Sequence, residues 1–178
     1  MIGGASGSGK TRLLRAIADL DPPAHNDYQI TLDGIDLRHF SAAEWRRHVS
    51  YVAAESQWWF DDVSRHFSII PDAGQCRSLE LDEGLLQRPV SRLSTGERQR
   101  LALLRVLVQQ PQVLLLDEPT ASLDPATSRA TEDVIRDYCL RHQAAVLWVS
   151  HDPEQMQRVG QRCFRLEDGR LIEQADRA

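Results

Sequence analysis

Eight residues near the start of the chain, Gly4-Ala5-Ser6-Gly7-Ser8-Gly9-Lys10-Thr11, follow the spacing G-x-x-x-x-G-K-[ST]. Glycines at that spacing let consecutive backbone N–H groups curl around phosphate oxygens, and the loop must run into a helix whose N-terminus favours anions. A strand before the loop and a helix after it are therefore required. Lys10 is the only lysine, since every other basic residue apart from the histidines is an arginine. It is placed to reach the β/γ-phosphates as a point charge, and the Thr11 hydroxyl to ligate Mg²⁺. Gly4, Ser6, Gly7, Ser8 and Gly9 complete the candidate cradle. The plain alternative is a glycine-rich turn ahead of a helix.

The rest of the composition narrows the class. At 178 residues with 42% hydrophobic content, the chain predicts one globular domain, or one domain with a small inserted lobe. Its formal charge of −5, with arginines interleaved among 26 acids, offers no field for nucleic acid, so no nucleic-acid partner is expected. Cys76, Cys139 and Cys163 show no metal or disulfide spacing and read as reduced thiols of a cytosolic protein. No apolar run approaches the ~20 residues that span a bilayer, so any membrane role must go through a partner.

Periodicity gives an alternation of strands and helices. Met1-Ile2 is the stub of a strand, and Arg12 to Leu20 reads as a helix closed by Asp21-Pro22-Pro23. Tyr28 to Leu32 alternates toward an Asp33-Gly34 hairpin turn, and Ser41-Ala42-Ala43-Glu44 is a capping box that opens a helix through His48. Val49 to Ala53 is a short strand. Between Ser56 and Arg92 the periodicity weakens into short amphipathic pieces, read as a small helical lobe. Gly96 to Gln109 is a strong helix, and Val113 to Leu116 a buried strand. Asp124-Pro125 supplies an N-cap and a proline at the first helical position for a helix to His142. Ala145 to Val149 is a further buried strand, and Phe164 to Ile172 a closing hairpin around Asp168-Gly169. The expected fold is α/β with a mostly parallel sheet, reactive residues gathering at the strand C-termini.

Two acids, Asp117 and Glu118, end the apolar run Leu114-Leu115-Leu116. Asp117 is positioned to hold Mg²⁺ and Glu118 to take a proton from an attacking water. An ordinary acidic turn after a strand is the competing reading.

These residues together resemble the ATP-binding cassette (ABC) ATPases over nearly the whole chain. Five motifs stand in that family's order. They are the Walker A loop at Gly4 to Thr11, a signature-like Leu93-Ser94-Thr95-Gly96-Glu97-Arg98-Gln99-Arg100, and the Walker B strand at Val113 to Glu118. An Ala121-Ser122-Leu123-Asp124 segment looks like the D-loop, and Ser150-His151-Asp152 looks like the histidine switch. Within the family, Ala145 to Asp152 is closest in feel to small cassettes serving metal or iron export. The resemblance implies a P-loop NTPase core over 1–55 and 93–178, with a helical lobe over 56–92. It implies ATP and Mg²⁺ as ligands, with Glu118 and His151 catalytic and Thr11, Asp117 and Glu55 around the metal. Ser94, Gly96 and Asp124 then meet the nucleotide of a second copy in a head-to-tail dimer. Ser94 as a helix cap, and Asp124 as an N-cap, stay open beside those roles.

Departures from the family pattern carry their own expectations. Thr95 stands where a signature glycine is usual and Glu97 where glutamine is more frequent. Ala54 falls on the family's metal-sensing glutamine, with Glu55 or Gln57 as substitutes. The family's N-terminal antiparallel strands, with their adenine-stacking aromatic, lie upstream of Gly4 and are missing here. Weak discrimination of ATP from GTP is the expected result, and the strand before the loop is expected to stand at an exposed sheet edge.

The leading expectation is an ATP-hydrolysing transporter subunit, peripheral on the cytoplasmic face of a membrane and partnered by a permease. Trp58, Trp59 and Phe60 read either as core or as the docking surface for that permease. The alternatives are a non-transport cassette acting on nucleic acid or ribosomes, and a nucleotide-binding module without turnover.

Overall fold

The computed structural model describes residues 1–21, 23 and 28–174, so Pro22 of the expected helix stop lies outside the described residues. Two compact units emerge. The first contains Met1–Tyr51, Val113–Glu118 and Val146–Ala178, and the second Val52–Gln112 and Pro119–Ala145.

The first unit is built on a six-stranded sheet. Its strands are β1 (Ile2–Gly3), β4 (Val49–Val52), β5 (Val113–Asp117), β6 (Ala145–Val149), β7 (Cys163–Glu167) and β8 (Arg170–Gln174), in the spatial order β4-β5-β6-β1-β7-β8. β1 runs parallel to β6 and to β7, with Ile2 opposite Val149 on one side and Phe164 on the other. The expectation of an exposed edge at β1 is thereby corrected. The closing hairpin folds back as a partner strand, and Ile2 is only 1% exposed. β8 then pairs antiparallel to β7 through a turn in which Asp168 and Gly169 both have positive φ, as a tight two-residue hairpin requires. A separate small ribbon pairs β2 (Thr31–Leu32) with β3 (Ile35–Asp36) across Asp33-Gly34.

Helix α1 (Lys10–Ile17) follows the glycine loop and buries Leu14. Helix α2 (Ala42–His48) starts at the Ser41/Glu44 capping box and buries Trp45, whose indole N–H donates to the Ile17 carbonyl at 2.8 Å. That bond satisfies the one polar atom of a large buried side chain and ties α2 to the end of α1. Ile2, Leu14, Ala18, Leu37, Trp45, Val49, Leu115, Val149 and Leu166 form the core beneath the loop.

The second unit holds α3 (Ala73–Ser78), α4 (Thr95–Leu107) and α5 (Pro125–His142), with 3₁₀ turns at Val63–His66, Glu83–Gln87 and Val90–Arg92. α4 is capped by the Ser94/Glu97 box and buries Leu101, Ala102, Leu103, Leu104 and Leu107. Its Arg100 donates to the carbonyls of Leu79 and Glu80 at 3.0 and 3.2 Å, fixing the segment after α3. α5 begins at Asp124, whose carboxylate accepts from Ala126 and Thr127, with Pro125 at its first turn. Tyr138 on α5 donates to the Pro111 carbonyl at 2.7 Å, and burial pushes its phenol up to about 12. A further helix, α6 (Pro153–Val159), belongs to the first unit. Among the described residues no helix is long and apolar enough to cross a membrane.

Candidate functional site

β1, β5 and β6 each end in a segment that carries candidate residues, and all three belong to the first unit. β1 delivers the loop Gly4–Gly9 directly into α1. Gly4 has φ +138°, and a Cβ there would lie 2.7 Å from the Leu166 carbonyl oxygen, so only glycine passes at this point. Gly9, at φ +100°, is the N-cap of α1 and provides no side-chain cap. The first amides of the helix are thus left to an external acceptor, which is the geometry of an anion site.

Lys10 lies inside this curl at 6% exposure, its ammonium donating to the carbonyls of Gly4 and Ala5 at 2.9 and 2.8 Å. Two neutral carbonyls stabilise a buried cation only in part, and the group keeps a third donor for an anion. Ser8 Oγ is buried with no hydrogen-bond partner among the described residues, a further polar atom that a phosphate oxygen would satisfy. Ser6 and Gly7 stand exposed on the loop rim.

Thr11 Oγ1 donates to Asp117 Oδ2 at 2.7 Å, joining the start of α1 to the end of β5. Asp117 is 3% exposed, and the Tyr51 hydroxyl on β4 donates to the same oxygen at 3.0 Å. The pair of Thr11 and Asp117 fits Mg²⁺. They are hard oxygen donors, and among the described residues no group of three or more His, Cys, Asp or Glu side chains gathers that would favour another metal. Mg²⁺ characteristically takes one or two protein oxygens and completes its shell from phosphate and water.

Glu118 follows β5 with φ +50°, a left-handed conformation unusual for a non-glycine residue. Its amide donates to the Val149 carbonyl at 3.1 Å, holding the strained position against the end of β6. His151 Nε2 lies 3.3 Å from Glu118 Oε1. Burial raises the Glu118 carboxyl above its ordinary range, while His151 pulls it back. Ser150, fully buried, donates its amide to the Ile2 carbonyl at 3.2 Å and so couples the His151 segment to β1.

The remaining sequence-derived candidates lie in the second unit. Ser94 is the N-cap of α4, accepting from the Glu97 amide at 3.2 Å and donating to its carboxylate at 2.8 Å. Gly96 is the second residue of that helix, and a Cβ there would meet Leu123 at 3.1 Å. Asp124 caps α5, and Glu55 is exposed after β4. Tyr51 was not among the candidates read from the sequence. The available signal was a hydroxyl-bearing ring in a strand otherwise read as apolar.

Comparison with known proteins adds kinship to this geometry. The family model described as ABC transporter matches residues 1–121. The aliphatic sulfonates import ATP-binding protein SsuB 2 of Frankia alni is 35% identical over 97% of this chain and 68% of its own length. The thiamine import ATP-binding protein ThiQ of Shigella flexneri is 32% identical over 94% of this chain and 76% of its own. Some curated relatives are longer, and the chain spans as little as 52% of one of them. A solved dimeric structure of an ATP-binding cassette with ADP and Pi matches with a TM-score of 0.83 at 23% identity, over 99% of this chain and 84% of that one, a likeness of fold. With the model matched over more than half its length, and the Frankia relative aligned nearly throughout, the chain belongs to the ABC transporter family.

Proposed function

We propose that the chain is the nucleotide-binding subunit of a membrane transporter, binding ATP at Gly4–Thr11 and hydrolysing it with Glu118 as general base. The observation that carries this reading is the convergence at the ends of three strands. A buried lysine in a backbone curl, a Thr11–Asp117 pair at 2.7 Å and a Glu118–His151 pair at 3.3 Å meet the separate needs of binding, metal holding and water activation. When bound, Mg²⁺ neutralises charge on the phosphate oxygens. Thr11 and Asp117 are the residues that would hold it.

The chain's own groups do the rest. The loop amides and Lys10 orient the triphosphate. Glu118, kept partly out of water, has a carboxylate basic enough to accept the proton of an attacking water, and His151, 3.3 Å away, steadies that carboxylate. Ser94, Gly96 and Asp124 serve the nucleotide of a second copy arranged head to tail. The import names of the Frankia and Shigella relatives support work beside a permease at the cytoplasmic face of a membrane.

Glu118→Gln keeps the shape and removes the base. Turnover in a phosphate-release assay should fall by at least ~10²-fold while ATP affinity survives. Undiminished turnover in that variant would remove Glu118 from the role.

A further inference from the structure

Asp117 receives two hydrogen bonds on a single oxygen. Thr11 Oγ1 and the Tyr51 hydroxyl both donate to Oδ2, at 2.7 and 3.0 Å, and the carboxylate is almost completely buried. Two donors on one oxygen fix the plane of a carboxylate and leave Oδ1 as the face offered to a ligand. Thr11 is the donor whose own oxygen also belongs to the metal. Tyr51 reaches Asp117 from β4, the neighbouring strand, and directs its hydroxyl proton to that carboxylate.

Two features support a directed role for that hydroxyl. Its ring is only half-buried, so a phenylalanine would pack there without needing a partner. The Arg15 guanidinium interacts with the same hydroxyl and is itself bound by Asp21, which turns the hydroxyl proton toward Asp117. Asp21, Arg15, Tyr51 and Asp117 therefore form a line of polar contacts from the end of α1 to the end of β5. No amide side chain is available at Ala54 to help orient a metal shell.

We propose that Tyr51 is a positioning residue that aims the Asp117 carboxylate at the divalent cation of the bound nucleotide. The proposal rests on Asp117 holding that cation. Ligand-orienting partners of this kind change metal affinity by roughly 10–100-fold when removed.

The test uses the full chain with Tyr51→Phe and, in parallel, Asp117→Asn. ATP affinity is measured by calorimetry with Mg²⁺ and with EDTA, and Mn²⁺ affinity of the protein–nucleotide complex by electron paramagnetic resonance. Tyr51→Phe should weaken Mn²⁺ binding by roughly 10–100-fold and leave nucleotide affinity in EDTA and the melting temperature unchanged. Unchanged Mn²⁺ affinity would overturn the proposal. So would an equal loss with and without metal accompanied by a lower melting temperature, since that is a packing defect. If Asp117→Asn loses the cation and Tyr51→Phe does not, only Tyr51 is displaced. If Asp117→Asn leaves cation binding intact, the metal role of Asp117 fails and Tyr51 falls with it.

Discussion

Lys10 shows how closely a single side chain is fitted to its loop. Its ammonium sits within 2.9 Å of two carbonyls of the same curl, with the side chain only 6% exposed. Lys10→Arg preserves the charge but replaces a compact head with a fork, so ATP affinity should drop at least ~10-fold by calorimetry. Unaltered affinity would show that the charge alone suffices. Lys10, Thr11, Asp117 and Glu118 were legible from spacing, because the motif is local and each residue's chemistry is plain. Tyr51 was not, because its role depends on which strand lies beside β5, and its sequence context reads as an apolar strand. The strain at Glu118 was equally hidden, since a positive φ follows from the Val149 contact and not from the residue type.

At the level of elements, capping decides several boundaries. Ser94 closes a capping box at α4, which leaves open whether its hydroxyl matters for the helix or for a nucleotide. Ser94→Asn separates the two, because asparagine caps as well as serine and keeps an N–H donor for the Glu97 carboxylate, yet replaces the hydroxyl with a bulkier amide. Thermal stability should hold while turnover and nucleotide-driven dimerisation are lost, read by melting curves, phosphate release and light scattering. The same box gives a pH signature. Ser94 holds the Glu97 carboxyl below its ordinary 4.5, so the stabilisation is present above that value and lost as pH falls through the lower folded one. Glu97→Gln should remove that acid-side loss, a change of about a few tenths of a kcal/mol because the group is partly exposed and screened. Chemical denaturation at pH 7 and at pH 3 would measure it. Asp124-Pro125 and Ser41 through Glu44 announced α5 and α2 correctly, since caps are encoded within four residues. The α6 start is less plain, because the Asp152-Pro153 cap, with Asp152 accepting from the Glu154 amide, overlaps the Ser150-His151-Asp152 motif.

For the whole molecule, the second unit presents apolar surface that its own fold does not use. Trp59 is 65% exposed, and Ile69 and Ile70 are exposed as well. Trp58, Trp59 and Phe60 surround the His66 ring, with Arg105 over both tryptophans, so the segment is held in place while Trp59 faces outward. Trp59→Ser should leave ATP affinity intact and reduce co-purification with the membrane subunit, whereas loss of ATP affinity would mark the ring as structural. The sheet order was the least legible feature, because pairing between residues far apart leaves no local trace. Ile2 pairs with Phe164 and the Phe164 amide donates to the Met1 carbonyl at 2.9 Å, so the strand that carries the phosphate loop gains its second neighbour from the far end of the chain. During synthesis at about 5–20 residues per second, the loop would wait on the order of ten seconds for that neighbour to leave the ribosome. A nascent chain already containing every nucleotide motif would therefore remain unable to bind ATP, and a chain ended at Gly160 should show none of the calorimetric signal of the full one. Long-range closure makes nucleotide binding wait on the Cys163–Glu167 strand, so a translation product interrupted before that segment would not compete for ATP.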